Sequence, residues 1–209
     1  MKIAATMPSD KDDKDASTKE RLLDEAEALF AEKGFDGVSV REICAAATCN
    51  LGAVNYYFGS KQNLYLEVFR SRWMARCRLE QEYFWSLLDD YESLSLHLVV
   101  KSLAQAFLEG PFSEEENRRH RQLISREIDH PTEVTDTIHA QVMQPFFSRL
   151  AAIMEPLLPE KVSAEQLLLD IMSIFGLLVH FQCTREGISR MLGQPYDGTL
   201  KAKLVAQVT

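Results

Sequence analysis

A chain of 209 residues with 46% apolar and 26% charged residues can build one sizeable core or two modest ones, and it reads as globular. Its formal charge of −8 argues against a general polyanion binder, while leaving room for a local face that reads DNA. Cys44, Cys49, Cys77 and Cys183 have neither C-x-x-C nor zinc-ligand spacing, so they read as reduced thiols of a cytoplasmic protein.

No apolar N-terminal segment marks secretion. The longest apolar run, Leu167 to Phe181, is broken by Asp170 and is shorter than the ~20 residues that span a bilayer, so no membrane partner is expected. Residues 1–16 mix charges without apolar periodicity and read as a disordered tail.

Helix signals then follow to the C-terminus. Ser17 and Glu20 have capping-box spacing ahead of Leu22, Leu23, Ala26, Leu29 and Phe30, and Gly34 stops that run. Ser39 and Glu42 repeat the box before a short second helix with Val40, Ile43, Cys44 and Ala47 inward. Asn50 is the predicted N-cap of a third helix, and Ser60 that of a fourth over about 61–88. Leu94 to Glu109 follows and stops at Gly110–Pro111. Ser113 and Glu116 open another helix. The next covers about 132–156, with Pro145 predicting a kink. Ser163 and Gln166 cap a helix over 164–185, and a short amphipathic helix near 199–208 closes the chain. No stretch alternates with period two, so the fold class is all-α.

Residues 48–61, TCNLGAVNYYFGSK, carry the chemistry. Three short helices with tight connections fill 17–58, the arrangement in which a last helix enters the major groove. At ~100° per residue, Val54 and Phe58 share the inner side of the third helix and Tyr56 points away. Leu51 falls on the Val54 side of the wheel or, at the first turn, projects off the helix end. Gly52 and Ala53 have little bulk and allow close approach to base edges, Asn55 has the amide geometry for adenine or a phosphate, and the tyrosines offer hydroxyls. Residues 39–61 carry the cations Arg41 and Lys61 against the single carboxylate Glu42.

The segment TKERLLDEAEALFAEKGFDGVSVREICAAATCNLGAVNYYFGSKQNLYLEVF resembles the N-terminal domain of the TetR family of bacterial transcriptional regulators, through ALFAEKGFDGVSVREIC, GAVNYYF and GSK. REIDHPTE and LLVHFQCTREGISRMLG resemble the branch with an extended C-terminal domain. The resemblance implies a helix-turn-helix domain over 17–61 and a helical ligand-binding and dimerisation domain over 62–209. It places DNA contacts on Ser39, Arg41, Gly52, Ala53, Asn55, Tyr57 and Lys61, to which the helix reading adds Asn50, Leu51 and Tyr56. The chain departs from the family pattern at Thr48, where a turn glycine is usual, at Leu51 for a polar residue and at Asn55 for a tyrosine.

The helix over 164–185 is apolar on nearly all sides and needs cover all round, which predicts a homodimer formed with the helix over 132–156. The expected effector is a small apolar or aromatic molecule held by Trp73, Phe84, Phe107, His139, Met143 and Phe147, residues that equally read as plain core. Glu127, Asp129 and His130 read as helix-end salt bridges and surface solvation rather than a metal or cationic-ligand site, and no metal or cofactor is expected. The chain lacks G-x-S-x-G, H-E-x-x-H, P-loop and dinucleotide-glycine motifs, which argues against an enzyme. The reading is a homodimeric operator-binding repressor released by an effector. The alternatives are an activator of the same fold and a helical protein-binding adaptor.

Overall fold

The computed structural model describes residues 10–209, with side chains from Ser17 onward. The expected tail thus lies, over 1–9, outside the described residues, while the backbone is already helical at Asp10. Helix α1 spans Asp10–Lys33, so Ser17 is an interior residue rather than a cap, and its hydroxyl instead accepts from Arg21 Nη1 at 3.0 Å. Helices α2 (Val40–Ala46) and α3 (Ala53–Phe58) follow.

A long helical run then comprises α4 (Lys61–Val68), a wide π-type turn (Phe69–Trp73) and α5 (Met74–Asp89). Beyond it lie α6 (Leu96–Glu109) and α7 (Glu114–Asp129). The predicted 132–156 helix is α8 (Glu133–Ile138), a second π-type turn (His139–Met143), and α9 (Gln144–Met154). That turn has a local cause. Pro145 has no N–H for the carbonyl four residues back, and its ring crowds that carbonyl, so the ladder widens just ahead of it. Helix α10 (Ala164–Cys183) is followed by α11 (Arg185–Leu192), which the sequence pattern does not separate, and by α12 (Gly198–Val208). The described residues contain no strand.

The chain forms two compact units, with the division inside the long helical run. The first holds residues up to Met74 together with Glu114–Thr135. Its core is α1 packed against α2, α4 and α7. Leu22, Leu23, Ala26 and Phe30 supply the inner stripe of α1, against Ile43, Val54, Leu64 and Val68. An aromatic chain runs through it: Phe30 meets Tyr65 edge-on at 4.9 Å, Tyr65 meets Phe69 at 5.1 Å, and Trp73 stacks on His120 at 4.7 Å.

Glu127 is buried in this unit without a cation. Its Oε1 accepts from Thr132 N (2.7 Å), Thr132 Oγ1 (2.9 Å) and Thr135 Oγ1 (2.8 Å), and its Oε2 from the Tyr65 hydroxyl (3.0 Å). The expected helix-end ion pairing is therefore replaced, for Glu127, by a ring of neutral donors that ties the end of α7 to the start of α8 and to α4. Asp129 and His130 are exposed, and the described residues contain no cluster able to hold a metal.

The second unit holds Ala75–Ser113 and Asp136–Thr209. Helix α6 is its centre, covered by α12 and α10, with α9 against α10. Phe84, Val99, Leu103, Leu108, Leu150, Ile171 and Leu178 make the core. Ser95, Ser163 and Asp197 cap α6, α10 and α12 by accepting from Leu98 N, Gln166 N and Leu200 N. Helix α10 is 20 residues long and its most apolar 18-residue stretch has a mean hydropathy of 1.5, long and apolar enough to cross a membrane by length and composition, which the run from Leu167 to Phe181 understated. It buries one stripe, Leu167, Ile171 and Leu178, and exposes another, Leu168, Leu169, Met172 and Leu177.

Candidate nucleic-acid interface

The helix-turn-helix starts with a complete capping box. The Ser39 hydroxyl accepts from Glu42 N at 3.2 Å, and Glu42 Oε2 accepts from Ser39 N at 2.8 Å. Those bonds to Ser39, with Lys33 Nζ 3.3 Å away, hold the Glu42 carboxyl down at about 2. The only acid of residues 39–61 is thereby tied to the cap and to Lys33.

Helix α2 ends in a two-bond turn. Thr48 N donates to Ala45 O at 3.2 Å and Cys49 N to Cys44 O at 2.9 Å, with Thr48 at φ +52°. Thr48 thus takes the left-handed conformation of the usual glycine and accepts the strain. Arg21 braces the same corner, its Nε donating to Ala47 O at 3.3 Å. Nothing in the local sequence pattern points to Arg21, because the contact joins residues 26 apart.

Two expectations at the start of α3 are corrected. Asn50 is not the N-cap: its backbone carbonyl accepts from Ala53 N at 2.9 Å in a tight turn, and Gly52 stands at the cap without a side-chain bond. Leu51 does not pack on the Val54 side: it sits in that turn, ahead of the helix, and is 53% exposed.

Within α3, Val54 and Phe58 are buried, Asn55 and Tyr56 are exposed, and Ala53 and Tyr57 are half-buried. Tyr56 is 76% exposed and meets Tyr57 edge-on at 4.8 Å. A Cβ on Gly52 would meet nothing within 4 Å, and its φ is an ordinary −74°. Among the described residues no contact or backbone angle requires a glycine there. Gly59 differs: at φ +78° it ends α3, its N–H donating to Asn55 O at 3.0 Å.

An open hollow of about 740 Å³ lies between Thr18 and Arg21 of α1, the turn at Thr48–Asn50, and Gly52, Tyr56 and Tyr57. A smaller one of about 220 Å³ lies on the other side of Tyr57, with Lys19, Asn63 and Arg70 in its wall. Arg41 is exposed and has no partner among the described residues. The Lys61 ammonium sits 4.1 Å over the Phe35 ring, and Ser60 caps α4 by accepting from Asn63 N at 3.0 Å. Ser39, Arg41, Asn50–Tyr57 and Lys61 are thus on the helix-turn-helix segment, and Lys19, Arg21 and Arg70 add cations beside it.

The six residues expected to hold an effector lie in different surroundings. Trp73, in the first unit, donates its indole N–H to His120 O at 3.2 Å. In the second unit, Phe107 and Phe147 both meet Phe175 edge-on, at 5.1 and 5.3 Å. Phe147 adjoins Phe146 at 5.9 Å, and Phe146 adjoins Phe84 at 5.9 Å. Met143 is half-buried and His139 exposed, both on the π-type turn ahead of Pro145.

Comparison with known proteins places both parts of the chain. The family model "Bacterial regulatory proteins, tetR family" matches residues 22–68. The model "HTH-type transcriptional dual regulator CecR, C-terminal domain" matches residues 94–209, more than half of the chain. The chain is 25% identical to the transcriptional dual regulator CecR of Shigella flexneri over 202 residues, covering 93% of this chain and 88% of that one. It is 28% identical to the transcriptional repressor AcnR of Corynebacterium glutamicum, over 66% of this chain and 85% of that one. The crystal structure of HlyIIR, a hemolysin II transcriptional regulator, shares the fold at a TM-score of 0.59 and 21% identity, covering 92% of this chain and 97% of that one. The chain is therefore a transcriptional regulator and not an enzyme, and it belongs to the TetR family of bacterial regulatory proteins, with a C-terminal domain of the CecR type.

Proposed function

We propose that the chain is a cytoplasmic, homodimeric repressor that reads an operator through the outward face of α3 and leaves it when a small apolar or aromatic effector binds. Gly52 carries this reading. As the N-cap of α3 with an ordinary φ and open space at its Cβ, this position accepts any good capping residue, and a phosphate backbone or base edge pressing on α3 favours the one without a side chain. Gly52→Val should cost about 1 kcal/mol of stability through the poorer cap, leaving the chain folded, and abolish its gel shift on DNA flanking its own gene. Retained binding by this variant would overturn the assignment of the face.

The exposed stripe of α10 supports the dimer, since Leu168, Leu169, Met172 and Leu177 lie on a helix of a family that acts in pairs on two-fold operators. The aromatic series Phe84, Phe107 and Phe147 of the second unit supports an apolar or aromatic effector. A second reading, regulation in both directions, is favoured by the likeness to CecR, a dual regulator. Reporter expression from the bound promoter in a deletion strain separates them: repression alone predicts a rise.

A further inference from the structure

Of the four cysteines, Cys44 and Cys49 lie together at the end of α2, where the backbone N–H of Cys49 donates to Cys44 O. In a helix end of this kind, the residue two beyond the cap bonds the residue three before it, which brings the two positions side by side. Here those residues are Cys49 and Cys44, joined by the 2.9 Å backbone bond and lining the same hollow. A direct backbone bond of this type holds two Cα atoms within the ~4.4–6.8 Å that a disulfide spans. Both residues line the larger hollow, Cys49 half-buried and Cys44 buried behind it. The Cys44 thiol points at Leu51 O, 3.9 Å away, in the turn that leads into α3. Cys77 is buried on α5 and Cys183 is exposed at the end of α10.

We propose that Cys44 and Cys49 form a peroxide-responsive dithiol, which closes to an intramolecular disulfide and displaces the recognition helix α3. The Cys49 sulfur attacks hydrogen peroxide, so that an S–O bond forms, the O–O bond breaks and water leaves with the thiol proton. The Cys44 sulfur then attacks the Cys49 sulfenic acid. An S–S bond forms, the S–O bond breaks and a second water carries off the other thiol proton. The two thiols give up two electrons and the peroxide accepts them. Burial, followed by the Cys44 thiol beside it, raises the Cys49 thiol above its ordinary value, so the first step accelerates as pH rises.

Closure has a mechanical consequence. An S–S bond of ~2.05 Å is much shorter than any thiol–thiol contact, so the two side chains must be drawn together. Cys44 then has no proton for Leu51 O, and Asn50–Gly52 carry the displacement directly into Ala53–Tyr57. The effect on DNA rests on the operator reading proposed above, whereas the thiol chemistry does not.

The experiment treats the full chain, carrying Cys77→Ala and Cys183→Ser, with hydrogen peroxide at pH 7 and pH 8.5. Differential alkylation with peptide mapping follows the thiols, and operator anisotropy follows the affinity. We expect a Cys44–Cys49 disulfide that forms faster at pH 8.5, is reversed by dithiothreitol and lowers affinity by about tenfold, the loss of one base contact. Cys49→Ser should make affinity insensitive to peroxide. If Cys77→Ala perturbs folding, the same mapping on the natural chain distinguishes the same outcomes. Alkylatable Cys44 and Cys49 after peroxide, or Cys49 carried to sulfinic acid with Cys44 still free, would overturn the disulfide. A disulfide with unaltered operator affinity would overturn the displacement of α3. A chain that forms the disulfide but binds no DNA in either state would overturn the operator reading and leave the thiol chemistry standing.

Discussion

Thr48 shows what a single side chain costs at a constrained turn. At φ +52° its Cβ crowds the backbone, and the left-handed conformation carries a penalty of roughly 1–2 kcal/mol. Thr48→Gly should therefore stabilise the chain by about 1 kcal/mol, less the entropy that glycine adds to the unfolded state, read as a higher urea midpoint at unchanged slope. Glu80 is a different case. Burial pushes its carboxyl up from 4.5 to about 7, and no cation pairs with it among the described residues. Because the folded state holds the proton more tightly, this group makes stability fall as pH rises from about 4.5 to 7. Glu80→Gln should gain about 3 kcal/mol at pH 8 and almost nothing at pH 4, measured by urea unfolding at the two values.

The elements divide into those with local causes and those with distant ones. Ser39 with Glu42, Ser60 and Ser163 are legible because a cap is settled within four residues, and all three bond as their spacing predicts. The inner and outer faces of α3 are legible from a wheel, since Val54 and Phe58 are buried and Tyr56 is not. Leu51 and Asn50 are misplaced by the same reasoning, because a wheel assumes a helix that has not yet begun at those positions. The Glu127 ring is invisible in the sequence, because Tyr65 lies 62 residues away.

Helix α10 shows the same limit: its apolar composition is plain, but which stripe faces outward depends on α6 and α9. Leu169 and Met172 are half exposed while Leu178 is fully buried. Leu169→Glu or Met172→Glu should thus give a folded monomer that has lost operator binding, by light scattering and anisotropy. Leu178→Ala should instead cost about 2–5 kcal/mol of stability. A folded dimer for Met172→Glu would remove this stripe from the interface.

For the molecule as a whole, the release from DNA proposed above requires an effector with different affinities for the two states. A coupling of about 1–3 kcal/mol is ordinary, and it must act equally in both directions. The effector should therefore bind free protein more tightly than the operator complex by the same factor that it weakens DNA binding, as read by calorimetry on both. Equal effector affinities would leave the second unit without a role in release. All of this depends on α3 reading sequence, and one titration tests that most directly: affinity for an operator duplex and a scrambled duplex across a range of salt, for the natural chain and for Asn55→Ala and Lys61→Ala. The natural chain should prefer the operator, Asn55→Ala should lose about 1–3 kcal/mol of that preference, and Lys61→Ala should weaken both duplexes alike and lower the salt slope by about one. Equal affinity of the natural chain for both duplexes would contradict the account.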